Sequence, residues 1–286
     1  MNRRRFLGSV GGLGAVGGGL ASYAALLEPQ RVQVRRFTAP LRDLPTSLEG
    51  FRIVQVSDTH YGPFISFEYL RSVIRRANAL APDLIVLTGD YVHRTPLAIE
   101  PGVQVLQGLR ARLGVVGVLG NHDHWEGAAS VRDAFARVGI PLLDNQRQFL
   151  ARDSLRSDAA SGGVIGLCGV GDLWEDKVRF DQALDGIPEA VPRIVLAHNP
   201  DTAERIPSGL RVDLMLSGHT HGGQVSVPGH GPLLVPSAYG RKYAGGWCAG
   251  PQCPVIVSRG VGMAILPVRF GVPPEISEIT LVRGMN

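Results

Sequence analysis

Five separate stretches of the 286-residue sequence carry side chains that bind metal ions through oxygen or nitrogen. The stretches contain Asp58 and His60, then Asp90, then Asn121 and His122, then His198, and finally His219 and His221. A donor set of carboxylates, imidazoles and an amide, with no thiolate, suits Mn, Fe or Zn and suits Ca or Cu(I) poorly. Any one of these motifs is common by chance, so the predicted metal site depends on all five occurring in one chain.

Each motif directly follows a short apolar run that is predicted to be a β-strand. The runs are residues 52–56, 84–87, 115–119, 193–197 and 214–216. Because they are almost continuously apolar, we expect them to be buried on both faces, as the strands of a parallel sheet are. Open α/β sheets bind their ligands beyond the carboxyl ends of the strands, which is where the polar side chains stand. The five motifs are therefore predicted to converge.

Helices are predicted between the first strands. Residues 66–80 have the periodicity of an amphipathic helix, with Ser66 as its N-cap. The apolar face of this helix is formed by Phe67, Leu70, Ile74 and Ala77. A second helix is predicted near residues 102–112, which gives the order βαβαβ. Strand-like runs and Gly/Pro turns alternate in residues 254–282, and this tail is predicted to complete a second sheet.

In their order and context the motifs resemble the calcineurin-like metallophosphoesterase family. The matching segments are Asp58-x-His60, Gly89-Asp90, Gly120-Asn121-His122-Asp123, His198 and Gly218-His219-Thr220-His221. Residues 216–224, 258–260 and 273–276 are similar to an exported bacterial subgroup of that family. Five ordered motifs at strand ends are a far stricter test than any one motif. The predicted fold is α/β: a four-layer α/β/β/α sandwich with two mixed β-sheets, with the metal site at the carboxyl ends of the strands.

The resemblance also implies a role for each donor. One divalent ion would be bound by Asp58, His60 and His221, and a second by Asn121, His198 and His219, with Asp90 bridging the two. His122 would contact the phosphoryl group and protonate the leaving oxygen. Two cations about 3.5–4 Å apart would hold a bridging water, lower its pKa and clamp the phosphoryl oxygens for in-line displacement.

The sequence departs from the family pattern at one position. Many family members have Gly-Asp-x-x-Asp, whereas residues 89–93 are Gly-Asp-Tyr-Val-His, so His93 replaces the last carboxylate. A histidine there would not raise the basicity of His122 as a carboxylate does. Asp123 and His124 are further candidates to orient the site, and the alternative is that both only cap a helix beginning near Ala128.

Basic residues in loops close to the motifs are candidates for substrate contacts. They are Arg94, Arg241 and Lys242, with Tyr243 beside the last two. An arginine or lysine there would pair with a second phosphate or an anionic headgroup. The alternative for each of these residues is an exposed surface turn.

Three functions remain open from the sequence. The first is hydrolysis of phosphate mono- or diesters at the cell envelope, and the second is cleavage of a lipid-linked pyrophosphate, similar to UDP-diacylglucosamine, or of a phospholipid. An apolar cleft beside the metals would favour the second function, and an open polar groove would disfavour it. The third is a non-catalytic, wall-associated metal-binding protein. No Gly-x-Ser-x-Gly turn and no phosphate-binding loop with lysine occurs, which excludes serine hydrolases and nucleotide kinases.

The amino terminus predicts export. The segment Arg3-Arg4-Arg5-Phe6-Leu7 resembles a twin-arginine signal, so the twin-arginine export machinery is an expected partner. The uncharged, glycine-rich residues 6–27 follow, and the alternative is that they form a membrane anchor. Residues 1–30 are thus a signal or anchor, and residues 31–286 are one metallophosphoesterase domain, expected in the periplasm or on the outer face of the cytoplasmic membrane.

The net charge of +4 is modest, and three of the arginines stand at positions 3–5. No long basic run with interleaved aromatic residues occurs, so a nucleic acid is not an expected partner. Cys168 lies in an apolar run and is predicted to be a buried thiol. Cys248 and Cys253 flank a four-residue segment. In an oxidising compartment they would form a disulfide, and the alternative is two free cysteines.

Overall fold

The structure, a computed structural model, describes residues 18–156 and 163–284. The described chain contains β-strands β1 to β14 and α-helices α1 to α4, numbered in chain order. The strands are Gln33–Leu41, Arg52–Val56, Leu84–Thr88, Val115–Val118, Gln146–Leu150, Leu155–Arg156, Ile165–Gly169, Arg193–Leu196, Leu214–Ser217, Ser226–Val227, Gly231–Pro232, Gly246–Ala249, Pro254–Val257 and Glu275–Arg283. The helices are Phe67–Ala79, Ile99–Leu106, Asn121–Val138 and Phe180–Ala183.

Two mixed β-sheets carry the motifs. The first sheet has the order β1-β14-β2-β3-β4, in which β2, β3 and β4 run parallel and β14 is antiparallel to β2. The second sheet has the order β12-β13-β9-β8-β7-β5-β6, with parallel strands in the centre and antiparallel pairs at both ends. The predicted βαβαβ order over β2, α1, β3, α2 and β4 is confirmed.

The tail differs from its prediction. Residues 254–282 do not complete one second sheet, because β13 joins the second sheet beside β9 and β14 joins the first between β1 and β2. Both faces of β14 are covered, since Ile276 packs with the helices and Ile279 with the opposite sheet. The tail therefore contributes one strand to each sheet.

The layers follow from which faces of the sheets are apolar. Between the sheets, side chains such as Val86 and Val116 of the first pack with Ile194 and Leu214 of the second. Helices α1, α2 and α3 cover the other face of the first sheet. The outer face of the second sheet is covered by α4 and by a 3₁₀ segment, Pro200–Arg205. The four-layer α/β/β/α prediction is confirmed, with a thin fourth layer.

Helix α1 forms as its sequence predicts. The Ser66 hydroxyl accepts a hydrogen bond from the backbone N–H of Tyr69 at 3.2 Å, as an N-cap does. The apolar face buries Leu70, Ile74 and Ala77. Helix α2 is shorter than the predicted 102–112, because the N–H groups after Leu106 bond to carbonyls three residues back and close the helix in a tight turn.

The amino-terminal part of the described chain, residues 18–30, is helical and packs against the domain. The ring of Tyr23 meets the edge of Phe270, and the Arg269 N–H donates to the Ala24 carbonyl at 2.9 Å. Among the described residues, none of the helices has both the length and the apolar character needed to cross a bilayer. The predicted twin-arginine segment, residues 3–7, lies outside the described residues.

The three cysteines are free and buried, as predicted for Cys168. The predicted disulfide between Cys248 and Cys253 is not formed in the structure. Strand β12 pairs with β13 so that Cys248 faces Val255, and the Gly250 N–H donates to the Cys253 carbonyl. The two cysteines are therefore diagonal rather than opposite, and diagonal Cβ atoms lie roughly 7–8 Å apart, whereas a disulfide needs about 3.5–4.5 Å.

Candidate metal centre

Both sheets contribute to one buried cluster. Strands β2 and β3 end just before Asp58 and Asp90, and β4 leads through Gly120 to Asn121 at the start of α3. Strand β8 leads to His198, and β9 leads to His219. The structure brings together all seven predicted ligands: Asp58, His60, Asp90, Asn121, His198, His219 and His221. All seven are buried, with at most 6% of each residue exposed.

The backbone at five of these residues is strained. Asp58, His60, Asp90, His219 and His221 have φ angles between 45° and 70°, the left-handed region that residues with a side chain avoid. Each such residue costs about 1–2 kcal/mol. Strain of this kind persists only where the surrounding structure enforces it, and it concentrates at functional sites. The turns therefore direct the donors inward at a cost in stability.

Close packing, and not a left-handed backbone, explains why residues 120 and 218 are glycines. Neither Gly120 nor Gly218 has a left-handed backbone. A Cβ at Gly218 would instead lie 2.3 Å from Asp58 Oδ2, and one at Gly120 would lie 2.3 Å from Asp90 Oδ1. The glycines are needed because the carboxylates of the cluster occupy the space where a side chain would begin.

The first group of donors consists of Asp58, His60 and His221. The Nε2 atoms of His60 and His221 lie 3.0 Å apart, and His221 Nε2 is 3.4 Å from Asp58 Oδ1. Donors bound to one ion at about 2.1 Å lie roughly 3.0–3.4 Å from each other in octahedral or tetrahedral geometry. These two separations fit neighbouring positions around one metal ion, whereas His60 Nε2 and Asp58 Oδ1 are 4.0 Å apart, closer to the spacing of opposite positions.

The second group consists of Asn121, His198 and His219. Asn121 Oδ1 lies 3.1 Å from His198 Nε2 and 3.0 Å from His219 Nδ1, and the two ring nitrogens are 3.2 Å apart. Asp90 lies between the groups, with Oδ2 at 3.4 Å from His60 Nε2 and 3.3 Å from His198 Nε2. One carboxylate oxygen thus faces both groups.

The buried carboxylates of the cluster favour the binding of cations. Burial raises the pKa of Asp58 to about 7, although the nearby His198 counteracts the increase. Among the ion pairs of the described chain, Asp58 and Asp90 have only histidine partners. Two carboxylates buried without lysine or arginine are stabilised by coordinating a metal ion.

The histidines differ in how burial and charge act on them. Burial lowers the pKa of His60 and His221 well below 6.5, and burial together with the charge of His198 lowers the pKa of His219 to about 3. These rings are neutral and keep a lone pair for a metal. Burial also acts to lower the pKa of His198, but the carboxylate of Asp90 outweighs it and raises that pKa to about 10. The side chains of each group lie close enough together to hold a metal ion.

His122 stands beside Asp90 and is paired with His93. Its backbone N–H donates to Asp90 Oδ1 at 2.9 Å, and its Nδ1 lies 3.1 Å from Nδ1 of His93. Burial lowers the pKa of His122, and burial and His122 lower that of His93 to about 4. At neutral pH one ring must donate and the other accept, so His93 orients His122 without supplying negative charge.

Asp123 orients the site, which is one of the two roles that the sequence left open for it. Its carboxylate accepts hydrogen bonds from the N–H groups of Gly120, Asp90 and Tyr91 at 2.8–2.9 Å. It therefore fixes two motif loops against each other. Helix α3 consists of two helical stretches: a short one that begins at Asn121 and was not predicted, and, beyond the non-helical backbone of Gly127 with its φ of 126°, a longer one that begins at Ala128 as predicted.

A cleft of about 400 Å³ opens over the cluster. Its walls are mostly apolar, and two tryptophans form one side. The ring of Trp125 lies 4.5 Å from that of His122, and the ring of Trp174 lies 4.4 Å from that of His219. A hydrogen bond of 2.7 Å from Trp125 Nε1 to Glu175 joins the segments that carry them.

The sequence prediction missed the segment around Trp174, although a signal was present. Asp172 follows Gly171 just after strand β7, in the same way that Asp90 follows Gly89 after β3. Its Oδ1 accepts hydrogen bonds from the N–H groups of Trp174 and Glu175, which turns Trp174 toward the cleft. Asp172 Oδ2 is buried without a hydrogen-bond partner among the described residues.

The predicted substrate-binding residues do not line the cleft. Arg94 donates to the Ile265 carbonyl at 2.9 Å and stacks on Phe64. Lys242 and the Tyr243 hydroxyl both bond to Glu204. Arg241 lies beside Gly231, about 3.5 Å from where a Cβ there would stand. These residues hold surface loops together.

Comparison with known proteins agrees with the site. Residues 51–223 match the family model described as calcineurin-like phosphoesterase. The chain is 34% identical to the uncharacterized metallophosphoesterase YkuE of Bacillus subtilis, over 98% of both chains. It is 31% identical to the phosphodiesterase YaeI of Escherichia coli, over 99% of this chain and 100% of YaeI. It is 28% identical to the UDP-2,3-diacylglucosamine pyrophosphatase LpxG of Chlamydia trachomatis, over 72% of this chain and 74% of LpxG. The resemblance inferred from the motifs is confirmed: the chain is a metallophosphoesterase, a hydrolase of phosphoric ester bonds, and belongs to the calcineurin-like phosphoesterase family.

Proposed function

We propose that the chain hydrolyses phosphate diesters or monoesters at a centre of two divalent metal ions. The position of Asp90 carries this proposal, because its Oδ2 lies within 3.4 Å of a histidine of each donor group. One ion would be held by Asp58, His60 and His221 and the other by Asn121, His198 and His219, with Asp90 shared. The ions, Mn, Fe or Zn, would supply Lewis acidity toward the phosphoryl oxygens and an activated water for in-line attack.

The chain's own residues would place and protonate the substrate. His122 is half-buried beside Asp90 and lines the cleft, so it can reach a phosphoryl group above the donors. His93 keeps the Nδ1 edge of His122 occupied, which directs its Nε2 edge toward the leaving oxygen. Asp123 holds the backbone of Asp90 and so keeps the shared carboxylate between the two groups.

Metal analysis and a substrate panel test this proposal. The purified chain loaded with Mn should contain two ions and hydrolyse bis-p-nitrophenyl phosphate, p-nitrophenyl phosphate or a pyrophosphate diester. Binding of only one ion would contradict the binuclear centre. Two bound ions with no hydrolysis of any of the three substrates would support the remaining reading, a non-catalytic, wall-associated metal-binding protein.

A lipid-linked substrate is the second candidate, and the apolar cleft favours it. Beyond the metal donors most residues that line the cleft are apolar, among them Trp125, Trp174, Val225, Leu233, Leu234 and Leu266, with His122, Thr220 and Gln224 as the polar ones. An acyl chain or a sugar ring next to a diphosphate would bury apolar surface there, and each buried methylene contributes about 0.8 kcal/mol. The name of LpxG describes such a substrate for that relative.

A pair of matched substrates separates the two candidates. A pyrophosphate diester with one short acyl chain, dispersed below its critical micelle concentration, should have a higher kcat/KM than the same compound without the chain. Equal values would restrict the function to water-soluble esters.

We also propose that the enzyme acts outside the cytoplasmic membrane, exported by the twin-arginine machinery. The support is the sequence Arg3-Arg4-Arg5-Phe6-Leu7 and the uncharged stretch behind it. A fusion of the full chain to a reporter active only in the periplasm tests the location. Replacement of Arg3 and Arg4 by lysine should abolish the signal, and retention of export would show that another route is used.

A further inference from the structure

The mouth of the cleft carries an aliphatic rim that is unusually exposed. We define the rim as Leu233, Leu234, Ile265 and Leu266, which are 60%, 71%, 64% and 57% exposed. All four also line the cleft over the metal donors. Large aliphatic side chains grouped at the edge of a site mark a surface that meets an apolar partner.

Hydrogen bonds hold the rim in place. Gln224 accepts from the Ala264 N–H at 2.6 Å and donates to the Leu266 carbonyl at 3.1 Å, so it fixes one rim segment. The Leu233 N–H donates to the Val225 carbonyl at 3.0 Å, which fixes the other. The rim leucines are therefore exposed on ordered segments. These segments are held by Gln224 and Val225, which follow closely after the donor His221.

Backbone strain supports the same conclusion. Ile265 has a φ of 62°, and a β-branched residue in the left-handed region is a strong outlier. A glycine or asparagine would adopt this conformation at lower cost. The chain nevertheless places an exposed isoleucine there, at a position where its side chain extends the rim.

The surroundings of the rim favour a negatively charged partner. The sequence from Leu214 to Pro274 contains no Asp or Glu. Arg94 is bonded to the carbonyl of Ile265, and Arg241 lies beside Gly231, two residues before Leu233. Cations next to an aliphatic edge match the headgroup and acyl layers of an anionic bilayer.

The amino-terminal segment reaches the domain beside the rim. Tyr23 packs on Phe270, and the Phe270 N–H and carbonyl bond to Gln224 and Ser226, which lead to Leu233. Val272 donates its N–H to the carboxylate of Glu28 at 2.7 Å. Residues 23–28 therefore lie next to the two segments that carry the rim.

We propose that the aliphatic rim docks on the surface of an anionic phospholipid bilayer and turns the mouth of the metal cleft toward the lipid. This docking is a separate claim from the reaction proposed above. Only its biological use rests on the proposed lipid-linked substrate. A substrate with a membrane-embedded tail would then enter the cleft without leaving the lipid.

A fluorescent probe on the full chain tests the docking without any substrate. The native cysteines are buried, so Leu234→Cys can be labelled selectively with an environment-sensitive dye. Trp247→Cys provides the matched control, since Trp247 is 45% exposed and does not line the cleft. Vesicles of phosphatidylcholine and phosphatidylglycerol should shift the emission of the probe at position 234 to the blue and leave that at position 247 unchanged.

Other outcomes would overturn the proposal. Vesicle binding with no shift at position 234 would mean that the amino-terminal segment alone holds the membrane, and equal shifts at both positions would mean non-specific insertion. A shift that depends on protein concentration without vesicles would identify a contact between two copies of the chain. As a second measurement, Leu233→Asp with Leu234→Asp should weaken vesicle binding at least about tenfold, because burying even one leucine contributes that factor. Because neither measurement uses turnover, an inactive protein would refute the proposed reaction and leave this test intact.

Discussion

At the scale of single residues, Asp90 has the most connections in the site. Its Oδ2 faces both donor groups, its Oδ1 accepts the N–H of His122, and its own N–H donates to Asp123. One side chain therefore links the two donor groups, the proposed acid and the loop that supports them. No other residue of the cluster has contacts to all three.

Removing this carboxylate should disable the centre while the fold remains. We expect Asp90→Ala to lose metal and to lower kcat/KM by more than about 100-fold. A loss of about 100-fold is the largest that is usual when the mutated residue only hydrogen-bonds to a metal ligand, and Asp90 is itself a proposed ligand. Metal per chain, turnover and circular dichroism measure these effects. Asp144→Ala is the control, because Asp144 pairs with Arg132 outside the cleft. Two ions and full activity in Asp90→Ala would refute the shared-ligand arrangement.

The contribution of His122 to kcat should increase as the leaving group becomes poorer. We expect His122→Ala to keep its metals and to lower kcat by about 10²–10⁴-fold for alkyl esters, the usual range for general acid catalysis. p-Nitrophenolate leaves without a proton, so esters of p-nitrophenol should be affected much less. Equal losses for both kinds of ester would mean that His122 only binds the phosphoryl group.

At the scale of elements, the sequence predicted the strands and helices that are determined by residues adjacent in the chain. The strands that precede the five motifs and the capped helix α1 follow from local apolar patterns. The start of α3 at Asn121 was missed because the Asp123 carboxylate, bonded to a distant loop, stabilises its first turn. The place of β14 between β1 and β2 depends on long-range pairing that no local pattern encodes.

The site was likewise predicted in part. The donors could be recognised because metal chemistry restricts the residue types at strand ends. Trp125 and Trp174 were missed because an exposed tryptophan has no such signature, and only the folded chain shows both beside the donors. The basic loop residues were misplaced because their charges serve contacts such as that of Lys242 with Glu204.

The turn after β9 gives a prediction at this scale. A Cβ at Gly218 would meet Ser57 Oγ at 2.0 Å and Asp58 Oδ2 at 2.3 Å, so Gly218→Ala must displace Asp58. We expect this variant to fold with lower stability, by about 1–3 kcal/mol as for overpacked sites, and to lose the ion of the first group. Unchanged metal content would show that the two loops can separate without cost.

At the scale of the whole molecule, each metal position joins the two sheets. Asp58 and His60 follow a strand of the first sheet, whereas their partner His221 follows a strand of the second. In the second group, Asn121 comes from the first sheet and His198 and His219 from the second. Bound ions would therefore fasten the sheets at the end where their strained turns meet.

Metal removal should thus lower thermal stability. A ligand at 100 times its Kd stabilises by about 2.7 kcal/mol, and for a chain of this size that corresponds to a change in Tm of roughly 5–10 °C. Calorimetry of the chelated and the Mn-loaded chain measures the difference, which should vanish in Asp90→Ala. A Tm that does not change with metal would mean that the turns are held by protein contacts alone.

The position of β14 has a consequence for biosynthesis. Strand β1 pairs with β14 alone among the strands, and β14 follows every other described strand in the sequence. While the ribosome is still translating residues before 275, the amino-terminal strand has no neighbour and the first sheet has a gap beside β2. The first sheet, whose strands β2 and β3 lead to Asp58 and Asp90, is therefore expected to be complete only after synthesis has passed Arg283.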